Sequence, residues 1–108
     1  MIYLNCSGVR FGSQLDEKHL FVWAREISCV VGWEQDTLVV RSRRVSETDL
    51  RELIALFWRY NIPIEQLAHF CNSANEAWFT SPKTYWHKKV FGSQSTPALK
   101  RDALKRAP

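Results

Sequence analysis

Three cysteines and three histidines are the obvious reagents in this chain, and their spacing decides what they can do. A zinc site wants Cys or His in pairs about two to four residues apart. Cys6, Cys29 and Cys71 are far apart, and no C-x-x-C occurs. Each falls on the apolar phase of its own element, where a reduced thiol packs as a small hydrophobe. His69 and Cys71 are two apart on an expected helix, so they point to different sides and cannot pair as base and nucleophile. His19 and His87 have no reagent partner near them in sequence. Gly8-Val9-Arg10-Phe11-Gly12 follows a strand but lacks the glycine–lysine pattern that cradles phosphate, so it reads as a turn. Glu47, Asp49 and Glu52, like Asp16 and Glu17, cluster at helix starts, where acids offset the helix dipole. No acid lies inside an apolar stretch, where burial would raise its pKa and mark it as catalytic. The expectation is no catalytic set, no metal site and no cofactor.

Positive charge and aromatic rings are the remaining candidates. The formal charge of the chain is +4. Residues 1–92 hold 11 Lys and Arg against 10 Asp and Glu, whereas residues 93–108 hold Lys100, Arg101, Lys105 and Arg106 against Asp102. The basicity therefore belongs to the C-terminal segment, and only there does it speak for nucleic acid. In the remainder, Arg41-Ser42-Arg43-Arg44 is the densest charge, at the end of an expected strand. Its functional reading is an anion- or partner-binding patch, and its plain reading is a solvated strand end. Trp33, Trp58, Tyr60 and Arg59 fall at element ends or stripe edges. Trp, Tyr and Arg are the usual anchors of protein interfaces, although these same rings can simply complete a small core.

The stretch NEAWFTSPKTYWHKKVFG interleaves rings with lysines, as a nucleic-acid platform would. On a helix that begins at Pro82, with about 100° per residue, the two separate. Pro82, Tyr85, Trp86 and Val90 share one face, and Thr84, His87 and Lys88 share the other. Core packing is the reading that segregation favours, with His87 and Lys88 left outside.

The elements that must position these residues follow from periodicity and caps. Ile2, Leu4 and Cys6 alternate with polar neighbours and predict a strand. Ser13 and Asp16 are cap residues for a helix over Leu15–Glu26 whose stripe is Leu20, Trp23, Ala24 and Ile27. Two β-rich runs, Ser28–Trp33 and Thr37–Arg43, flank a hairpin loop at Glu34-Gln35-Asp36. Ile27, Cys29, Val31 and Trp33 are expected on one face of the first run, and Leu38 and Val40 on one face of the second. Ser46-Glu47-Thr48-Asp49 is a helix start, followed by the stripe Leu50, Leu53, Ile54 and Phe57 with Leu56, Trp58 and Tyr60 at its edges. The helix must stop near Tyr60, because Pro63 disfavours helical geometry at Ile62. Ile64, Leu67, Ala68 and Cys71 predict a short helix. Ser73 with Glu76 predicts a capping box. Ser81-Pro82 predicts a final helix over Pro82–Val90, with Gly92 as its stop.

The expected fold is α+β, a small antiparallel sheet of about three strands with several helices packed on one face, in the order β-α-β-β-α-α-α-α. Residues 1–92 are expected as a single globular domain and residues 93–108 as a basic, flexible tail. The C-terminal half is similar in layout to a small bacterial domain, and it carries no residue-level family motif. With reduced cysteines, no signal-peptide pattern and no membrane-spanning run, the expected setting is the cytoplasm. The expected function is protein interaction, as an adaptor, inhibitor or immunity-type binder. Its candidate contacts are Trp33, Arg41, Arg43, Arg44, Trp58 and Arg59. The alternative is nucleic-acid binding through the tail and the Arg41–Arg44 patch. Oligomeric state is not legible in the sequence.

Overall fold

A computed structural model describes residues 1–92. They belong to two compact units, one spanning Met1–Phe70 and one beginning at Cys71. The architecture is the expected α+β arrangement, a small three-stranded antiparallel sheet with several helices.

In the first unit, β1 (Ile2–Asn5), β2 (Val30–Glu34) and β3 (Thr37–Val40) form a sheet in the order β1-β3-β2. In the β1–β3 register Ile2 lies opposite Val40 and Leu4 opposite Leu38, which puts the apolar phase of both strands on one face. Leu38, Val39 and Val40 are all buried, because the central strand is flanked on both sides. β2 departs from simple alternation. Its register against β3 slips between Val30 and Gly32, so Val31 is the extra residue of a bulge. The bulge turns Val31 out to 51 % exposure while Cys29 remains buried. The expected shared face of Ile27, Cys29, Val31 and Trp33 is therefore broken at Val31.

Helix α1 (Gln14–Glu26) starts on Ser13, whose hydroxyl accepts the Asp16 N–H at 3.2 Å. Helix α2 (Glu47–Arg59) starts on Ser46, which accepts the Asp49 N–H at 3.1 Å. Asp49 in turn accepts from the Ser28 hydroxyl at 2.7 Å, tying the end of α1 to the start of α2. At the other end of the pair, the Tyr60 hydroxyl donates to the Asp16 carbonyl at 3.2 Å. The two helices thus run antiparallel. The α2 stripe is wider than its edges suggest, since Leu56 is fully buried and Tyr60 is only 8 % exposed.

The end of α2 is set by Asn61 as much as by Pro63. Asn61 adopts φ +54, its N–H reaches the Trp58 carbonyl at 3.3 Å, and the Ile62 N–H reaches Phe57 at 3.0 Å. This is the paired-bond C-terminal motif in which a left-handed residue reverses the chain, a position that asparagine tolerates. The next segment, Ile64–Phe70, is a 3₁₀ helix and not an α-helix. Its buried residues, Ile64, Leu67 and Phe70, recur every third position. That is the 3₁₀ repeat, and it leaves Ala68 and Cys71 only half-buried in place of the expected stripe.

The second unit contains α3 (Glu76–Phe79) and α4 (His87–Phe91). The start of α3 is not made by Ser73. Instead the Asn72 side chain accepts the N–H groups of Ala74 and Asn75 at 2.9 and 3.1 Å, and Asn75 accepts the Asn72 N–H at 2.8 Å. Two asparagines closing on each other outcompete a Ser–Glu box, because their amide oxygens reach local backbone donors readily. The final helix is also shorter than expected. Residues 81–84 form a turn in which the Ser81 carbonyl takes both the N–H and the hydroxyl of Thr84, and helix begins only at His87. Trp86 donates its indole N–H to the Phe79 carbonyl at 2.8 Å, an anchor that a regular helix from Pro82 does not require. Phe79 is fully buried, with the rings of Trp78, Trp86 and Phe91 at 5.7, 6.5 and 4.9 Å. Trp86 and Val90 are buried as expected, whereas Pro82 is exposed and Tyr85 is 54 % exposed. His87 is half-buried against Phe91 and not outside, its Nδ1 buried with no hydrogen-bond partner among the described residues. Gly92 ends α4 at φ +82, where a side chain would be strained.

Candidate functional site

The antiparallel pair α1/α2 borders a concave surface of the first unit. One cleft of about 450 Å³ is lined on α1 by Lys18, His19, Val22, Trp23 and Glu26, and across from them by Arg59 and Tyr60. A second hollow of about 400 Å³ lies beside it, with Gly12, Ser13, Leu15 and Asp16 in its wall. His19 and Arg59 line both, so they mark the place where the two meet.

Local structure explains each position. Helical spacing puts Lys18, Val22 and Trp23 within four or five residues along α1, and His19 with Trp23 on one face. The C-terminal motif at Asn61 stops α2 at Tyr60, and this leaves Arg59 in the last turn with its head exposed. Two walls of the cleft are pinned. The Trp23 indole donates to Glu52 Oε1 at 2.9 Å, and the Tyr60 hydroxyl is held by Asp16. Burial pushes the Tyr60 phenol up, the Asp16 carboxylate adds to the shift, and the Arg59 charge opposes it. The Arg59 side chain makes no ion pair and no hydrogen bond among the described residues. Arg51, about two turns earlier on α2, differs in reaching Glu47 at 2.8 Å.

The expected contact residues are dispersed over three places. Arg59 lines the cleft, and its neighbour Trp58 is 42 % exposed on α2. Arg41, Arg43 and Arg44 are exposed in the segment that leads into the start of α2, roughly 18 Å along the helix from Arg59. The Ser42 hydroxyl ties that segment by accepting the Arg44 N–H at 3.2 Å. Trp33 belongs to neither group. It packs edge-on against Phe21 at 4.9 Å and lines a small hollow of about 110 Å³ with Cys6 and Asp36. Its indole N–H is buried without a partner among the described residues. Lys100, Arg101, Lys105 and Arg106 lie outside the described residues.

Sequence reasoning missed His19, Lys18 and Trp23 as members of one site. Trp23 reads as a stripe residue, His19 as a reagent without a sequence neighbour to act with, and Lys18 carries no signal of its own. The only available signal was Arg59, at the end of its helix beside the stripe.

The reagents do not converge. No cysteine lines either cleft among the described residues. Burial pushes the Cys6 thiol up to about 11 and the Cys29 thiol up to about 12, with Asp49 adding to the second. Burial, then Glu76, also raises Cys71. Such thiols are poor nucleophiles at neutral pH. Among the described residues no group of three or more His, Cys, Asp or Glu is placed to hold a metal ion, and no helix is long and apolar enough to cross a membrane. No protein-family model matches the sequence, and neither the curated proteins nor the solved structures gave a match.

Proposed function

We propose that this protein is a small, non-enzymatic protein-interaction domain that receives its partner in the cleft between α1 and the C-terminal end of α2. One observation carries the reading. An exposed arginine without an internal acceptor stands where two hollows meet, beside a pinned tryptophan and a pinned tyrosine. Aromatic walls held by hydrogen bonds lose little entropy on binding, and Trp, Tyr and Arg carry most interface energy. The raised thiols and dispersed histidines support binding over catalysis.

The test is affinity capture of the full chain from its native cell, comparing the parent with Arg59→Ala and with the triple change Arg41→Ser, Arg43→Ser, Arg44→Ser. The reading expects Arg59→Ala to lose the partner with an unchanged thermal melt and the triple variant to keep it. Equal retention by Arg59→Ala and the parent contradicts it. Capture of nucleic acid instead, weakening steeply with salt, supports the alternative through the arginine patch and the basic C-terminal segment.

A further inference from the structure

We infer that the element docked in this cleft is an acidic peptide segment, a carboxylate side chain beside an apolar one. The inference rests on the reading of the cleft as a partner site and goes further by naming the chemistry of what enters it.

The cleft has more unspent donors than acceptors. Arg59 presents five N–H donors in a fixed fork, and Lys18 presents three more from α1. Neither side chain makes an ion pair or hydrogen bond among the described residues. The Asp16 and Glu52 carboxylates near them each have one oxygen committed. Asp16 Oδ2 accepts the Gly12 N–H at 3.1 Å, and the Asp16 carbonyl accepts the Tyr60 hydroxyl. Glu52 Oε1 accepts the Trp23 indole. Glu26 retains an open carboxylate, but it belongs to the last residue of α1, roughly 15 Å along the helix from Asp16. At the Arg59 end the Asp16 carboxylate shares the neighbouring hollow, but it bonds the Gly12 N–H and forms no ion pair with Arg59, so the planar donor fork stays open. A carboxylate fits that fork with two parallel hydrogen bonds. The apolar part of the occupant follows from Val22, which is exposed at 36 %, and from the half-buried Trp23 ring beside it. A basic segment would place its charge against Arg59 and Lys18, with only the Asp16 carboxylate, already bonded to the Gly12 N–H, at that end.

The test uses three fluorescein-labelled tetrapeptides on the full chain, Asp-Leu-Glu-Leu, its neutral isostere Asn-Leu-Gln-Leu and the basic Lys-Leu-Lys-Leu, read by polarisation. Asp-Leu-Glu-Leu should bind about tenfold or more tighter than Asn-Leu-Gln-Leu, the scale of one charge-assisted hydrogen bond. Lys-Leu-Lys-Leu should be weakest. Arg59→Gln should bring the acidic peptide down to the isostere's affinity, and Lys18→Gln should lower it by a smaller factor. The triple change at Arg41, Arg43 and Arg44 should leave it unaltered. Equal binding of acidic peptide and isostere, no binding of Asp-Leu-Glu-Leu, or an effect of the triple change in place of Arg59→Gln overturns the inference. Failure of the peptides beside an Arg59-dependent capture of the native partner overturns this inference alone. Failure of both overturns the reading of the cleft as well.

Discussion

The two units are stabilised in different ways. The first is built on long amphipathic helices of 13 residues and a leucine-rich core that includes Leu4, Leu20, Leu38, Leu50, Leu53 and Leu67 with Phe57 and Phe70. The second has helices of only four and five residues, and its interior centres on Phe79 within a cluster of rings. Helices that short have almost no stability of their own. They are fixed by side chains that reach backbone groups, Asn72 at one end and Trp86 at the other. Periodic burial therefore specifies the first unit, and individual anchors specify the second.

That contrast can be broken where the anchors are. Phe79→Ala should cost about 3–5 kcal/mol in denaturant unfolding and should release amide protection across residues 71–92 before it touches α2. Uniform loss of protection in both units would contradict the contrast. Asn72→Ala leaves the N–H groups of Ala74 and Asn75 without their side-chain acceptor and should cost about 1–3 kcal/mol. Ser73→Ala should be neutral within about 0.5 kcal/mol. The helix-start comparison in the first unit, Ser46→Ala, should cost about 1 kcal/mol. A cost at Ser73 equal to that at Asn72 would restore the capping box that the sequence predicts.

The thiols sharpen the comparison by pH. Cys6 and Cys29 belong to the first unit, and burial raises both above the ordinary thiol value of 9.0. A raised folded pKa means that the unfolded chain loses its proton first as pH rises. The stability these thiols contribute is complete below pH 9.0 and is lost progressively toward about 11 and about 12. Denaturation midpoints taken from pH 8 to 10.5 should fall with a slope that Cys6→Ala together with Cys29→Ala makes shallower. An unchanged slope would mean that the thiols ionise equally in both states.

The same contrast explains what was legible in the sequence. The hydroxyl caps Ser13 and Ser46 and the α2 stripe are local patterns with one physical solution, and the structure uses them as the sequence predicts. The 3₁₀ helix was missed because Ile64, Leu67 and Phe70 satisfy a period of three as well as Ile64, Leu67 and Ala68 satisfy an α-helix. The delayed start of α4 depends on a bond from Trp86 to a carbonyl seven residues earlier, which no local signal encodes. The site was legible only in part. Arg59 stands out by type and position, but its neighbours Lys18 and His19 come from a helix about forty residues earlier. Their convergence is a product of the antiparallel α1/α2 pairing, fixed by Ser28–Asp49 at one end and Asp16–Tyr60 at the other.

Arg59→Gln is expected to be the smallest perturbation of stability, within about 0.5 kcal/mol, because the side chain is exposed and has no internal acceptor. The most direct measurement of the account is a nitrogen-15 NMR titration of the full chain with Asp-Leu-Glu-Leu. Shifts are expected at the Trp23 indole N–H and at the amides of Lys18, His19 and Arg59, all abolished by Arg59→Gln. Shifts confined to Arg41–Arg44, or shifts that persist in Arg59→Gln, would contradict it.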